Sequence, residues 1–355
     1  MKTHIRIVLT AALSVVALAA NAQLGKLKEM ITVAENSIET ATKEIVVNSQ
    51  FCKVNIRATD GNKAIVNGKL EALAADEAYK INFDDNGTTL TATFEVPNSS
   101  QASYAGEFVV NVPIGVKVVV KATSGNVTLE SLTDCNIDIE TVKGKITGKN
   151  VAGNLTAEAK AGDIVMEQID GTFALSTSTG AINVNKGNGT LSFDSTDGAA
   201  TVSYFSGKLD GKTIAGTQTY SNLTDCNLHI QGSTGAIKIS DAEATVSGSL
   251  KASTLNLYKV KGEFHLESEK GSIISSGSAN GITLTASSDF TTTEGKINLT
   301  LINKKDELTF DLAHAHKGDI GLIAKGERTV KKQLKFGKGP IVITGRTNTG
   351  TQTYK

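Results

Sequence analysis

Nine glycines, Gly144, Gly153, Gly162, Gly171, Gly180, Gly189, Gly198, Gly207 and Gly216, follow one another at intervals of nine residues. A fixed short period of this kind marks a repeat architecture, in which each unit is completed by its neighbour. The period continues with a one-residue slip through Cys226, Gly235, Ala244, Ser253, Gly262 and Gly271, and runs back through Cys135 to Gly125. Other small residues therefore replace some glycines while the spacing survives.

Paired into units of 18, the repeat shows apolar columns. Two residues into each unit stand Val118, Ile137, Leu155, Phe173, Leu191, Leu209, Leu228, Val246 and Phe264. Two residues further stand mostly Val120, Ile139, Leu175, Phe193, Ile230 and Leu266. The second half-unit carries Val127, Ile146, Ile164, Ile182, Ile237, Leu255 and Ile273, followed by Leu129, Met166, Val184, Val202, Ile239 and Leu257. Alternation with period two predicts strands of about five residues, with glycine at the turns. Such a unit cannot bury its apolar side alone, whereas coils stacked about 4.8 Å apart build a continuous core. The expected fold is all-β: a parallel β-solenoid, a single-stranded β-helix of about 18 residues per coil. Its expected hand is right, the usual hand of parallel crossovers. A third column, Leu132, Val151, Ile169, Phe205, Leu223 and Val260, is expected at a corner or short third side.

The flanking segments read differently. Lys2 and Arg6, an apolar run from Ile7 to Ala20, and Ala20-Asn21-Ala22 have the form of a secretory signal over residues 1–22. No second run of about 18 apolar residues follows, so no membrane span is expected in the mature chain. Removal of Lys2 and Arg6 from the 36 bases leaves 34 against 36 acids. A near-neutral chain has no field to attract nucleic acid. Residues 23–115 are expected to form a strand-rich cap, with strands at Ile45 to Ala58, Ala64 to Leu70, Tyr79 to Phe83 and Leu90 to Val96. Turns are expected at Asp60-Gly61, Asn67-Gly68 and Asn86-Gly87, and at most a short helix near Leu24 to Val33. The regular solenoid is expected over 116–280. Residues 281–355, where Gly295, Gly318 and Gly339 open similar phrases 21 to 24 residues apart, should form less regular coils and a second cap.

The phrase Val112-Pro-Ile-Gly-Val-Lys-Val-Val-Val-Lys-Ala-Thr-Ser-Gly-Asn-Val-Thr-Leu-Glu-Ser-Leu132, with the Ser/Thr-x-Gly-x-Ile units after it, resembles the bacterial "putative adhesin" β-strand-repeat family. The resemblance covers roughly Val110 to Ile297. It implies a secreted or envelope β-solenoid, in the style of Bacteroidetes envelope proteins, and brings no catalytic motif to transfer.

Two solenoid chemistries can be tested on the residues. Acyltransferase coils carry an aliphatic residue every six positions, but Glu158 stands six before Ile164 and Ala161 six after Leu155. Calcium-binding nonapeptide rolls need a carboxylate column. The matching column here, Glu158, Glu167, Ser176, Asn185, Asp194, Ser203, Lys212 and Ser221, includes a lysine and three serines.

Three polar groupings remain. Asp210, His229, Ser247 and His265 occupy one outward position in four successive coils, an order that invites a triad reading. The same column holds Thr156, Ala174 and Ser192 and supplies no oxyanion donors, so it reads as a solvent-facing row. His314 and His316, two apart near Asp311 and Asp319, could present two imidazoles to zinc or copper, with no third ligand identifiable. Lys325, Arg328, Lys331, Lys332, Lys335 and Lys338, opposed only by Glu327, concentrate positive charge that suits an anionic glycan or headgroup but reads first as a solvated edge. Cys52, Cys135 and Cys226 make an odd count. Cys135 and Cys226 share one column five coils apart, about 24 Å at 4.8 Å per coil, beyond disulfide reach.

The sequence therefore predicts no catalytic, cofactor or metal residues. It predicts an exported, non-enzymatic envelope protein, periplasmic, surface-bound or extracellular, that offers broad faces to a surface glycan or an envelope protein. The competing reading is a polysaccharide lyase or glycosidase on the same scaffold, weakened by the absence of Trp and of a stacked acid pair.

Overall fold

The computed structural model describes residues 30–73, 78–96, 104–275, 277, 279–316 and 321–355. It is a β-solenoid whose inward columns are those of the sequence pattern. On one face Val127, Ile146, Ile164, Ile182, Ala200, Gln218, Ile237, Leu255 and Ile273 stack in parallel register. On the next face Val118, Ile137, Leu155, Phe173, Leu191, Leu209, Leu228, Val246 and Phe264 do the same. All of them are buried. Leu132, Val151, Ile169, Phe205, Leu223 and Val260 fill the third side. Stacked identical positions bury apolar area at about 25 cal/mol per Å², continuously along the axis.

The coil is not two equal half-units joined by glycine turns, as the nine-residue period suggests. Hydrogen bonding runs through strands of 14 or 15 residues, such as Ile146–Ala159 and Ile164–Thr177, which bend without ending. One bend is made by a single residue in the left-handed region: Ser131, Asn150, Gln168, Lys186, Tyr204, Asn222, Asp241 and Lys259, with φ between 50° and 62°. Their side chains share no chemistry, so no residue-type signal marks the column. A second bend falls at Gly153, Gly171, Gly189 and Gly207, with φ of 107° to 130°. The true turn contains Gly144, Gly162, Gly180, Gly198 and Gly216, whose φ is not left-handed. There a Cβ would collide with the carbonyl of the equivalent glycine one coil earlier. In both series a Cβ would meet the backbone of the coil before, but only the bend at Gly153, Gly171, Gly189 and Gly207 also requires the left-handed conformation.

Cys135 and Cys226 stand where the left-handed glycines stand in other coils. Each belongs to a Thr-Asp-Cys-Asn phrase with one extra residue in the coil, and the left-handed conformation moves to Asp134 (49°) or Asp225 (46°). The cysteine is thereby released from the requirement for glycine. Cys52 opens the other glycine series, and the hairpin strand it meets answers with Gly106, where a Cβ would press on the Cys52 side chain. All three thiols are free and buried. Burial pushes Cys52 and Cys226 up to about 12 and Cys135 up to about 11. The folded protein should therefore give no reaction with a thiol reagent at pH 8 and three thiols per chain once unfolded in denaturant. A disulfide between Cys135 and Cys226 in a non-reducing digest would contradict the coil register.

One pentapeptide occurs twice, as Gly216-Thr-Gln-Thr-Tyr220 and Gly350-Thr-Gln-Thr-Tyr354. Both copies bury the Gln and Tyr completely. Tyr220 donates to Gln218 Oε1 at 2.6 Å and Tyr354 to Gln352 Oε1 at 3.3 Å, while each amide donates to a carbonyl, of Gln231 at 2.6 Å or Ala313 at 2.7 Å. Gly211 and Gly345 lie opposite, where a Cβ would overlap the tyrosine hydroxyl. A buried polar pair in an apolar column is tolerated because its partners are supplied.

Both ends are closed by strands taken out of chain order. Glu44–Gln50 and Lys53–Ala58 form a coil next to Lys117–Ala122 and the start of Val127–Thr141. Outside that coil lie Thr89–Glu95 and Tyr104–Val112, then antiparallel Lys80–Asp85 on one face and Ala64–Ala72 followed by Ile31–Thr40 on the other. At the far end Ile341–Thr347 and Gln352–Tyr354 slot between the regular stack and the earlier strands Leu308–His314 and Leu322–Ala324. Antiparallel Gln333–Gly337 and Glu327–Thr329 finish that end.

Three local expectations change. The strand read as Ile45 to Ala58 breaks at Phe51-Cys52 to turn a corner. Asn67-Gly68 is no turn but mid-strand, and Gly68 is small because a Cβ would press on Ile81 and Phe108, at 2.8 and 2.9 Å. Ile31 to Val33 are strand rather than helix, paired to Ala64–Ala72. Residues 24–29 of that expected helix, like the signal over 1–22, lie outside the described residues. The Asn86-Gly87 turn is present, with Gly87 at φ 82°.

Candidate functional site

The outward column singled out in the sequence is assembled by the register. Asp210, His229, Ser247, His265 and Asp289 are consecutive ladder neighbours. His229 Nδ1 lies 3.0 Å from Ser247 Oγ, and its Nε2 lies 3.2 Å from the Gln231 amide. A neutral amide therefore occupies the position in which a triad needs an acid, and no hydrogen bond joins Asp210 to His229 among the described residues. His265 is bonded to Asp289 at 2.7 Å and Glu263 at 2.9 Å. The hydrogen bond to Asp289 is the main reason its imidazole titrates above the usual histidine range. The row alternates bonded pairs along a sheet face whose backbone amides serve the ladder.

The same habit governs the rest of the outer surface. Lys212 meets Asp194 at 2.5 Å, Lys261 meets Glu243 at 2.7 Å, and Lys117 meets Asp138 at 3.0 Å, always from one coil to the next. Asn188 donates to Asp170 at 3.1 Å and Ser206 to Asn188 at 2.9 Å. These pairs are about half exposed and individually worth little, but they give each face a patterned, locally neutral polar surface. Shallow grooves cross the coils among the described residues, one of about 340 Å³ passing Asp194, Asp210 and Gln231. One of about 460 Å³ places Glu267 and Glu269 beside Lys212 and Lys251, and one of about 470 Å³ runs past Asn150, Gln168, Asp170 and Lys186.

His314 and His316 do not form a pair. His314 ends the strand Leu308–His314 pointing inward and buried, with neither ring nitrogen hydrogen-bonded, while His316 lies beyond the strand and is exposed. Asp311 is taken by Arg346 at 3.3 Å and Lys335 at 3.6 Å, and Asp319 lies outside the described residues. The basic segment from Lys325 to Lys338 forms the outermost strands of the far end, with Lys305 bonded to Glu327 at 2.9 Å.

A structural polar row that the sequence reading missed lies inside. Thr141, Thr177, Ser195 and Thr347 each accept the N–H of the glycine three residues on, at 2.9 to 3.1 Å, and Ser268 and Thr292 donate to the carbonyls of Gly271 and Gly295 at 2.8 Å. The signal was a Ser or Thr three residues before most turn glycines, Gly162 with its Ala159 being an exception. Thr177→Val should cost about 1 to 3 kcal/mol, the penalty for an unsatisfied buried amide. Thr156→Val, on the exposed face, should be near neutral in the same urea titration.

Residues 42–212 match the family model described as Toastrack DUF4097. Among solved structures, a putative cell adhesion protein from Clostridium sporogenes is similar at 10% identity over 91% of this chain and 99% of its own, with a TM-score of 0.18. Putative adhesins from Parabacteroides distasonis and Parabacteroides merdae are 14% and 11% identical, over 75% and 76% of this chain and 97% and 96% of theirs, with TM-scores of 0.28 and 0.23. A comparison with curated proteins finds no match. No helix among the described residues is long and apolar enough to cross a membrane. Over residues 42–212, just under half of the chain, the β-solenoid is therefore similar to the Toastrack DUF4097 family.

Proposed function

We propose that this is an exported, non-enzymatic protein of the cell envelope whose solenoid faces bind a surface glycan or another envelope protein. The reading rests above all on the Asp210 to Asp289 row, where the side chains that could do chemistry are bonded to each other across coils. The row is outward-facing, and Gln231 stands where a catalytic acid would be needed. The similarity of residues 42–212 to the Toastrack family and the form of residues 1–22 support the same reading. Binding asks only for a broad face with repeated donors and acceptors, and the coil-to-coil ladders provide it.

The test is a glycan array and an envelope-fraction pull-down, with product analysis on every glycan retained. Retention without product is the expected result. Release of product that is lost in Ser247→Ala or His229→Ala would overturn the proposal, since a nucleophile and its base fail together.

A further inference from the structure

The chain carries 36 bases and 36 acids, yet its two ends are charged oppositely. Residues 30–112, which include the strands of the first end, hold six bases against eleven acids. Residues 303–355, which build the other, hold eleven bases against five acids. Neutrality overall thus conceals a separation of charge along the solenoid axis.

The charges sit on the terminal strands and, at the second end, also on the residues that join and follow them. At the first end the outermost strands are Ile31–Thr40 on one face and Lys80–Asp85 on the next; Glu39 is paired with Lys63 at 3.1 Å, so Glu35, Asp84 and Asp85, all exposed, supply its outward charge. At the other end the outermost strands are Glu327–Thr329 and Gln333–Gly337, on the same two faces, continuing the same ladders. Glu327 and Lys335 are paired within that end, so Arg328, Lys331, Lys332 and Lys338, all exposed, supply its outward charge. Each terminal strand is paired on one side only among the described residues. Ile31 at one end and Val330 at the other are each 49% exposed.

We propose that the partner of each end is the opposite end of a second copy, so that the protein associates head to tail into filaments. Two like ends repel, because they would set acid against acid or lysine against lysine. Unlike ends attract and bring two unpaired edges on two faces opposite two others. Such a contact is heterologous and does not close on itself, so it propagates. Lysines on an edge strand ordinarily discourage pairing. Here they discourage it only with their own kind, which gives the association a direction.

Sedimentation velocity over a concentration series, with electron microscopy of the same samples, tests this on the full chain. At low ionic strength the protein should form linear chains of increasing length. Association should fall at least tenfold at about 1 M salt, where charges are screened beyond about 3 Å. Lys331→Glu with Lys332→Glu, or Glu35→Lys with Asp84→Lys, should each weaken self-association at least tenfold, with melting temperatures unchanged because all four residues are exposed. Mixing the two double variants should restore it, since each end again meets its opposite. A monomer at every concentration in low salt, a closed dimer, or association indifferent to both reversals would overturn the proposal. A monomer retained through its basic end on a polyanion column would overturn it in favour of an anionic partner.

Discussion

Ile164→Asp should abolish the stack at its centre, whereas Thr156→Asp should leave it intact. Ile164 is fully buried between Ile146 and Ile182. A carboxylate there would have apolar neighbours above and below and no partner, at a cost of about 4 kcal/mol or more. Thr156 lies on the neighbouring face of the adjacent coil, exposed. In a solenoid each coil leans only on its neighbours, so the damage should be local before it is global. Limited proteolysis of the Ile164 variant should cut first near residues 160–165, and its melting temperature should drop far below that of the Thr156 variant. Equal stability of the two would reject the assigned register.

Gly180→Ala should be the second severe change, for a reason unrelated to backbone freedom. Gly180 is not left-handed, but a Cβ on it would overlap the carbonyl of Gly162 in the coil before. The only relief is to push the neighbouring coils apart, which breaks ladder hydrogen bonds along the strands that flank the turn. A loss of about 3 kcal/mol or more is expected, against a few tenths for Gly61→Ala, where the nearest atom stands 3.6 Å away. Urea midpoints of the two variants, compared with the parent, decide this. If the two losses were alike, close approach of the coils would not be what keeps residue 180 a glycine.

These contrasts also show what could be read from the chain. The inward columns were legible because stacking repeats one environment every 18 residues, and an environment that recurs selects recurrent residues. Ile164 and Leu155 were placed correctly on that basis alone. The left-handed bend at Asn150, Gln168, Lys186 and Tyr204 was not legible, because its cost is met by the surrounding ladders rather than by a residue type. Gly68 was misread because a glycine next to asparagine signals a turn, and only tertiary packing of Ile81 and Phe108 explains it otherwise. The spacing of His314 and His316 reads as a pair, but the strand stops at His314 and His316 lies beyond it. The outward polar row was legible as a row. What was missing was Gln231, two residues from His229, which takes the nitrogen that an acid would need.

The out-of-order strands at both ends bear on how such a protein can change its length over time. A coil inserted between Gly144 and Gly216 would meet the same neighbours as those already present. A coil appended after Tyr354 would not, because that strand lies inside the stack, with Leu322–Ala324 beyond it. Nor can one be added ahead of Glu44, whose strand is already flanked on both sides. Duplication or deletion of a coil should therefore be tolerated only in the interior, and length variants should differ by whole coils in the middle while both closures are kept together.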